Sequence, residues 1–203
     1  MIKTKYWFPL FALSAILIGL YPLLYFIIDR NFGLLQTKDI SVLQSISWNI
    51  GFYTHIILGG LALLIGWSQF VEKWRKANPK FHHQIGKLYI AFVILSSLSG
   101  IYIGYYATGG FIASLGFISL GIIWFIKTLF AFLYVRKGNY QMHKKLMIYS
   151  YSACFAGVTL RIWLPLLTLI FEDFFSAYKI VAWLCWVPNL IIAYLINKNG
   201  GSS

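Results

Sequence analysis

Apolar residues in this chain fall into blocks of about 20, each closed by a short run of charged or polar positions. At 1.5 Å of rise per residue, a helix of that length crosses the hydrocarbon core of a bilayer. The blocks predict six spans, at roughly 7–28, 49–71, 86–107, 111–135, 145–170 and 179–197. They are built from Leu, Ile, Phe, Ala and Gly without the period-two alternation of a membrane β-barrel. The expected fold class is therefore all-α, a polytopic membrane helix bundle. A single transmembrane domain is expected over 1–199, with a four-helix core at about 49–170 and flanking helices at 7–28 and 179–197. Residues 200–203 read as a flexible tail. The first block is too long for a signal peptide and lacks a small-residue cleavage site, so it reads as a retained helix. The longest loop, 29–48, ends in an amphipathic stretch in which Trp48 is the expected interfacial anchor.

Composition and charge sharpen this picture. The 203 residues are 60% hydrophobic and 11% charged, which leaves too little charge to cover a soluble surface. The net charge of +12 does not point to nucleic acid, because the basic residues lie between the spans. The N-terminus, the 72–87 loop, the 136–145 loop and Lys198 gather twelve Lys and Arg, against Arg30, Lys38 and Lys179 on the opposite side. That asymmetry predicts that both termini are cytoplasmic, with anionic lipid headgroups as the counter-charge.

Two basic residues, Lys127 and Arg161, fall inside spans, whereas all five acidic residues lie in loops or at helix ends. No membrane carboxylate is on hand to carry protons or bind sodium, which weighs against ion-coupled transport, although backbone carbonyls also bind cations. Cys154 and Cys185 both lie in apolar blocks and read as small packing residues. Gly59, Gly60, Gly66, Gly100, Gly104, Gly116 and Gly121 allow close helix packing, or else line a substrate path. No Ser-His-Asp or Cys-His set and no phosphate-cradling glycine loop is visible.

The histidines carry the candidate chemistry. His82, His83 and His143 stand at the basic ends of spans three and five, at similar depth. Two imidazoles so placed suit a bis-histidine haem, or with less complete ligation another metal; alternatively they meet lipid phosphate or cap helices. His55 and Arg161 share a depth nearer the other face. Arg161 is either neutralised by Glu172 or Asp173 reaching back, or faces a cavity and binds a haem propionate, a quinone carbonyl or a substrate carboxylate. Lys127 either snorkels or neutralises an anionic cofactor near His143, with Trp124 one turn away lining the same pocket or merely packing. A weak internal echo links the starts of spans three and five, Phe81–Tyr89 and Met142–Tyr149, and suggests two related hairpins.

The motifs His82-His83-Gln84-Ile85-Gly86-Lys87-Leu88-Tyr89, His143-Lys144-Lys145-Leu146-Met147-Ile148 and Thr159-Leu160-Arg161 with Pro165 resemble a bacterial membrane family, domain of unknown function 2306, over about residues 50–170. Leu146 stands where that family usually has an aromatic. The resemblance implies a bacterial inner-membrane protein with His82, His143 and Arg161 as its matched positions. In outline the His-bearing helices are similar to the cytochrome b561 and ferric-reductase-like group, which implies haem b, although the outer side offers only His55. Three functions are therefore expected. One is a haem-b oxidoreductase or electron-transfer protein with His82 and His143 as ligands and Lys127 or Arg161 at the propionates. The second binds or transports a small anionic or lipophilic ligand, such as a quinone, around His55, Arg161 and Trp124. The third is a non-catalytic assembly partner.

Overall fold

A computed structural model describes residues 4–28 and 33–199. Lys3, Asp29, Arg30 and the 200–203 tail lie outside them. Among the described residues, six helical segments are long and apolar enough to cross a membrane: Trp7–Ile27, Ile46–Phe70, Pro79–Gly104, Gly110–Arg136, Tyr140–Phe171 and Phe174–Asn199. No strand occurs among those residues. In lipid, helices satisfy their own backbone groups, and this chain uses that solution throughout.

Helix α1 (Thr4–Leu20) tightens into a 3₁₀ turn at Tyr21–Leu23 and ends in a short helix, Leu24–Ile27. Helices α2 (Ile46–Gly66), α3 (Pro79–Gly104) and α4 (Gly110–Arg136) follow as single rods. The fifth span is α5 (Tyr140–Cys154) continued by α6 (Ala156–Phe171), and the sixth is α7 (Phe174–Leu184) continued by α8 (Val187–Asn199). Helices α2, α3, α4 and α5 pack in a ring, with α2 also meeting α5. Helix α1 lies against α2 and α6, while α7 packs on α4 and α6 and α8 on α5.

Spans three, five and six begin earlier than hydropathy suggests, and the cause is capping. Asn78 accepts from Phe81 N at 3.0 Å, Asn139 from Met142 N at 3.0 Å, and Asp173 from Ser176 N at 2.8 Å. Each cap satisfies an otherwise orphaned amide, so the helix starts in a polar turn before its apolar run. Pro79 at the first helical position of α3 helps in the same way. The internal echo also reaches further: Asn78, His82 and Tyr89 repeat as Asn139, His143 and Ser150 with the same spacings.

Trp48 does not anchor the interface. It is 2% exposed and stacks on Phe52 with ring centroids 5.1 Å apart, because the residues 33–44 fold back over it with Leu35 buried beside it. The buried centre holds a hydroxyl cluster. Tyr89 Oη lies 2.9 Å and Thr128 Oγ1 2.6 Å from Ser150 Oγ, while Tyr151 donates to the Leu63 carbonyl at 2.9 Å. These bonds tie α3, α4, α5 and α2 together in the buried interior. Cys154 and Cys185 are buried free thiols.

Glycines set the helix spacing. A Cβ on Gly60 would lie 2.7 Å from the Gly19 carbonyl and 2.9 Å from Pro22 Cγ, so α1 and α2 touch backbone to backbone. Gly60→Val should therefore lower stability by about 1–3 kcal/mol, read as a reduced Tm of the detergent-solubilised protein. An unchanged Tm would contradict this contact.

Candidate functional site

Helix packing leaves a cavity of about 240 Å³ within the bundle, to which all six spans contribute. That is a little below the ~300–1,000 Å³ of pockets that hold drug-sized ligands, so its occupant is small. Its wall is apolar and aromatic, with Tyr25, Trp48, Phe52, Phe117, Trp124 and Tyr178 among the lining side chains. Gly59, Gly100 and Gly157 line it too, which makes some of the glycines cavity-forming as well as close-packing. Among the described residues the ionisable side chains on the wall are His55, Arg161, Lys38, two tyrosines and two thiols, with no Asp or Glu.

Arg161 projects from α6 inside the fifth span. Its Nη1 donates to the Gly157 carbonyl at 2.8 Å, and its guanidinium lies 4.1 Å from the centroid of the Tyr21 ring. The Nε–H is buried without a hydrogen-bond partner. The expected reach of Glu172 or Asp173 does not occur. Both are exposed; Glu172 takes a left-handed conformation (φ 51°) at the end of α6, and Asp173 is engaged as the cap of α7. Among the described residues the one ion pair is Lys76–Glu72, at 2.8 Å on the surface. Placing an Arg in a span costs about 2.5–3.5 kcal/mol on insertion scales. The ring contact and one carbonyl offset part of that and leave the charge uncompensated.

His55 is held from α3. Its Nδ1 lies 2.9 Å from the Ser96 carbonyl, and Ser96 Oγ donates to the His55 carbonyl at 2.9 Å. A carbonyl only accepts, so Nδ1 carries the proton and Nε2 is the acceptor nitrogen of the neutral ring. Gly100 makes room for this ring: a Cβ there would fall 2.8 Å from His55 Nδ1. Trp48 Nε1, also on the wall, is a second buried donor without a partner. The cavity thus offers orphaned donors, one fixed cation and an apolar lining.

The structure brings His55, Arg161 and Trp124 to this cavity and leaves His82, His83, His143 and Lys127 outside it. His143 lies 18 residues before Arg161 on the α5–α6 span, roughly 27 Å along the axis. One cofactor ligated by His143 is therefore out of reach of Arg161. Lys127 lies with Nζ 5.2 Å from the Tyr149 ring centroid, so it does not share a pocket with Trp124. His82 and His83 rings are 5.9 Å apart, and His143 Nδ1 lies 2.9 Å from the Ala131 carbonyl. Among the described residues no group of three His, Cys, Asp or Glu side chains is arranged to hold a metal ion.

Sequence reasoning passed over Lys38, Tyr21, Tyr25, Trp48 and Ser96, which the fold places at or beside the site. The signal that was present for Lys38 was its setting in an apolar stretch, Leu34-Leu35 before it and Ile40 after, unlike the basic loops of the other face.

No curated protein and no solved structure matches the chain. A family described as Predicted membrane protein (DUF2306) matches residues 52–197, which takes in five of the six spans and both His55 and Arg161. With more than two thirds of its length matched and six apolar spans described, the chain is an integral membrane protein belonging to the DUF2306 family.

Proposed function

We propose that this protein binds a small lipophilic organic anion, with the carboxylate or equivalent oxygen acid at Arg161 and the apolar body against the aromatic wall. The observation that carries this reading is a buried guanidinium with an unpartnered Nε–H, on the wall of a cavity that no Asp or Glu lines among the described residues. Buried donors are normally satisfied, and a buried charge is normally paired. A ligand with acceptor oxygens completes both requirements at once, and the low dielectric around it strengthens the attraction between its negative charge and the guanidinium. The volume limits the body of the ligand to something smaller than a typical drug, and a porphyrin does not fit there.

Benzoate is a suitable probe because it is a small aromatic acid, ionised near neutral pH, and benzamide is its neutral counterpart. In nanodiscs, ligand-observed NMR titration should show benzoate bound at least tenfold more tightly than benzamide. Arg161→Ala should abolish that preference, and equal binding of the two probes to the unaltered protein would reject the reading. A second variant separates ligand binding from architecture. Replacing a poorly compensated buried charge by an apolar side chain is neutral or stabilising. Ligand-free Arg161→Met should accordingly keep or raise its Tm, whereas a fall of several degrees would make Arg161 a structural residue.

A second reading, haem b held between His82 and His143, is supported by one feature. Each histidine lies seven residues, about two turns, before a partner of the Tyr89–Ser150 hydrogen bond, so each lies on the face of its helix that carries this bond. His143 also has the carbonyl contact at Nδ1 that leaves Nε2 for a metal. When bound, haem would supply one-electron transfer; the protein's part would be axial ligation by the two imidazoles. Protein expressed with a haem precursor and reduced with dithionite should then show sharp bands that His82→Ala and His143→Ala remove. A preparation that stays colourless after haem addition would overturn this reading and leave the anion site untouched.

A further inference from the structure

A second cation reaches the same cavity from outside the spans. Lys38 follows the short 3₁₀ turn Gly33–Thr37 and is one of the lining side chains. Its Nζ donates to the Tyr106 carbonyl just beyond the end of α3. Beside it the Thr37 and Thr108 hydroxyls meet at 3.1 Å, which fastens this loop to the α3–α4 connection. The ammonium has a backbone carbonyl as partner, and Asp39, next to it in the chain, is exposed and outside the cavity wall. The other titratable groups on the wall are Tyr25, His55, Cys154, Arg161, Tyr178 and Cys185. Positive charge therefore stands at two places on one apolar wall, with no carboxylate on that wall among the described residues.

We infer that Lys38 is the entrance cation of the Arg161 cavity, drawing small carboxylates in from the 33–44 loop and exchanging its bond to the Tyr106 carbonyl for one to the ligand. The inference rests on the anion-binding reading of Arg161 and adds the route and the second binding residue. A neutral carbonyl is a replaceable partner, and an ion pair in a partly desolvated mouth is stronger than the bond it displaces. An apolar funnel with one sign of charge also concentrates counter-ions and speeds their entry. Burial pushes the Lys38 ammonium down to about 8, with Asp39 opposing that shift. A bound carboxylate favours the charged form and raises it again. Affinity is accordingly full below about pH 8, and falls as the pH rises through that value and the free protein loses the charge.

The test is benzoate titration in zwitterionic nanodiscs between pH 7 and 9.5, a range in which the carboxylate stays ionised. The unaltered protein should lose about tenfold in affinity across this range, while benzamide binding stays constant. Lys38→Met should be about tenfold weaker than the unaltered protein at pH 7 and flat with pH. Lys38→Arg should keep the pH 7 affinity and also be flat, which guards against misfolding of the first variant. If benzoate binds and Arg161→Ala abolishes it, yet Lys38→Met behaves like the unaltered protein, the entrance role is wrong and the Arg161 site stands. If the unaltered protein does not prefer benzoate to benzamide, both fall.

Discussion

A guanidinium inside an apolar bundle, with no acid beside it among the described residues, is the constraint around which the rest of this structure makes sense. Arg161 has no ion-pair partner among the described residues, only the face of Tyr21 and the carbonyl of Gly157. An arrangement of that kind is expensive in lipid unless something else answers the charge. The Tyr21 ring lies 4.1 Å from the guanidinium, and Gly157, one turn earlier, adds no side chain between it and the cavity. The site is thus built to keep a cation dry and half satisfied.

Packing supports that site rather than filling it. Close contacts such as Gly19 against Gly60 bring some helix backbones together, and Gly116 does the same for α4 and α7, with a Cβ there 2.8 Å from the Ala182 carbonyl. On the cavity wall Gly59 and Gly100 make room for Ser96 and His55, whereas at Gly157, where a Cβ would meet nothing nearer than 3.8 Å, the missing side chain leaves volume instead. Below the cavity the Tyr89–Ser150–Thr128 cluster and the Tyr151–Leu63 bond lock the core helices without charge. Those bonds are specific in register, so they fix helix rotation, which apolar contacts in lipid do weakly.

The architecture was largely legible because lipid imposes it: block length, composition and the absence of alternation already demand helices. Span starts were less legible, since Asn78, Asn139 and Asp173 extend helices through polar turns that hydropathy excludes. The shared depth of His55 and Arg161 could be counted along the chain, but not whether their helices turn toward one another. That depends on rotation, set here by contacts such as His55 with Ser96. Trp48 misled for a related reason: an aromatic at a span's edge usually sits among headgroups, but the fold-back of residues 33–44 buries this one. Glu172 and Asp173 were close to Arg161 in sequence, yet the reversal of chain between α6 and α7 uses them for backbone geometry and capping. The apolar setting of Lys38 set it apart from the other loop cations, but its place at the cavity was not legible, because the contact with the Tyr106 carbonyl spans 68 residues.

The most direct test is to determine the structure with 4-bromobenzoate and locate the bromine by its anomalous scattering. A single strong peak is expected inside the cavity, with the carboxylate within hydrogen-bonding distance of Arg161 and the guanidinium Nε–H engaged. Bromine found only on the lipid-facing surface, with Arg161 still lying on Tyr21 and its Nε–H unpartnered, would contradict anion binding at Arg161.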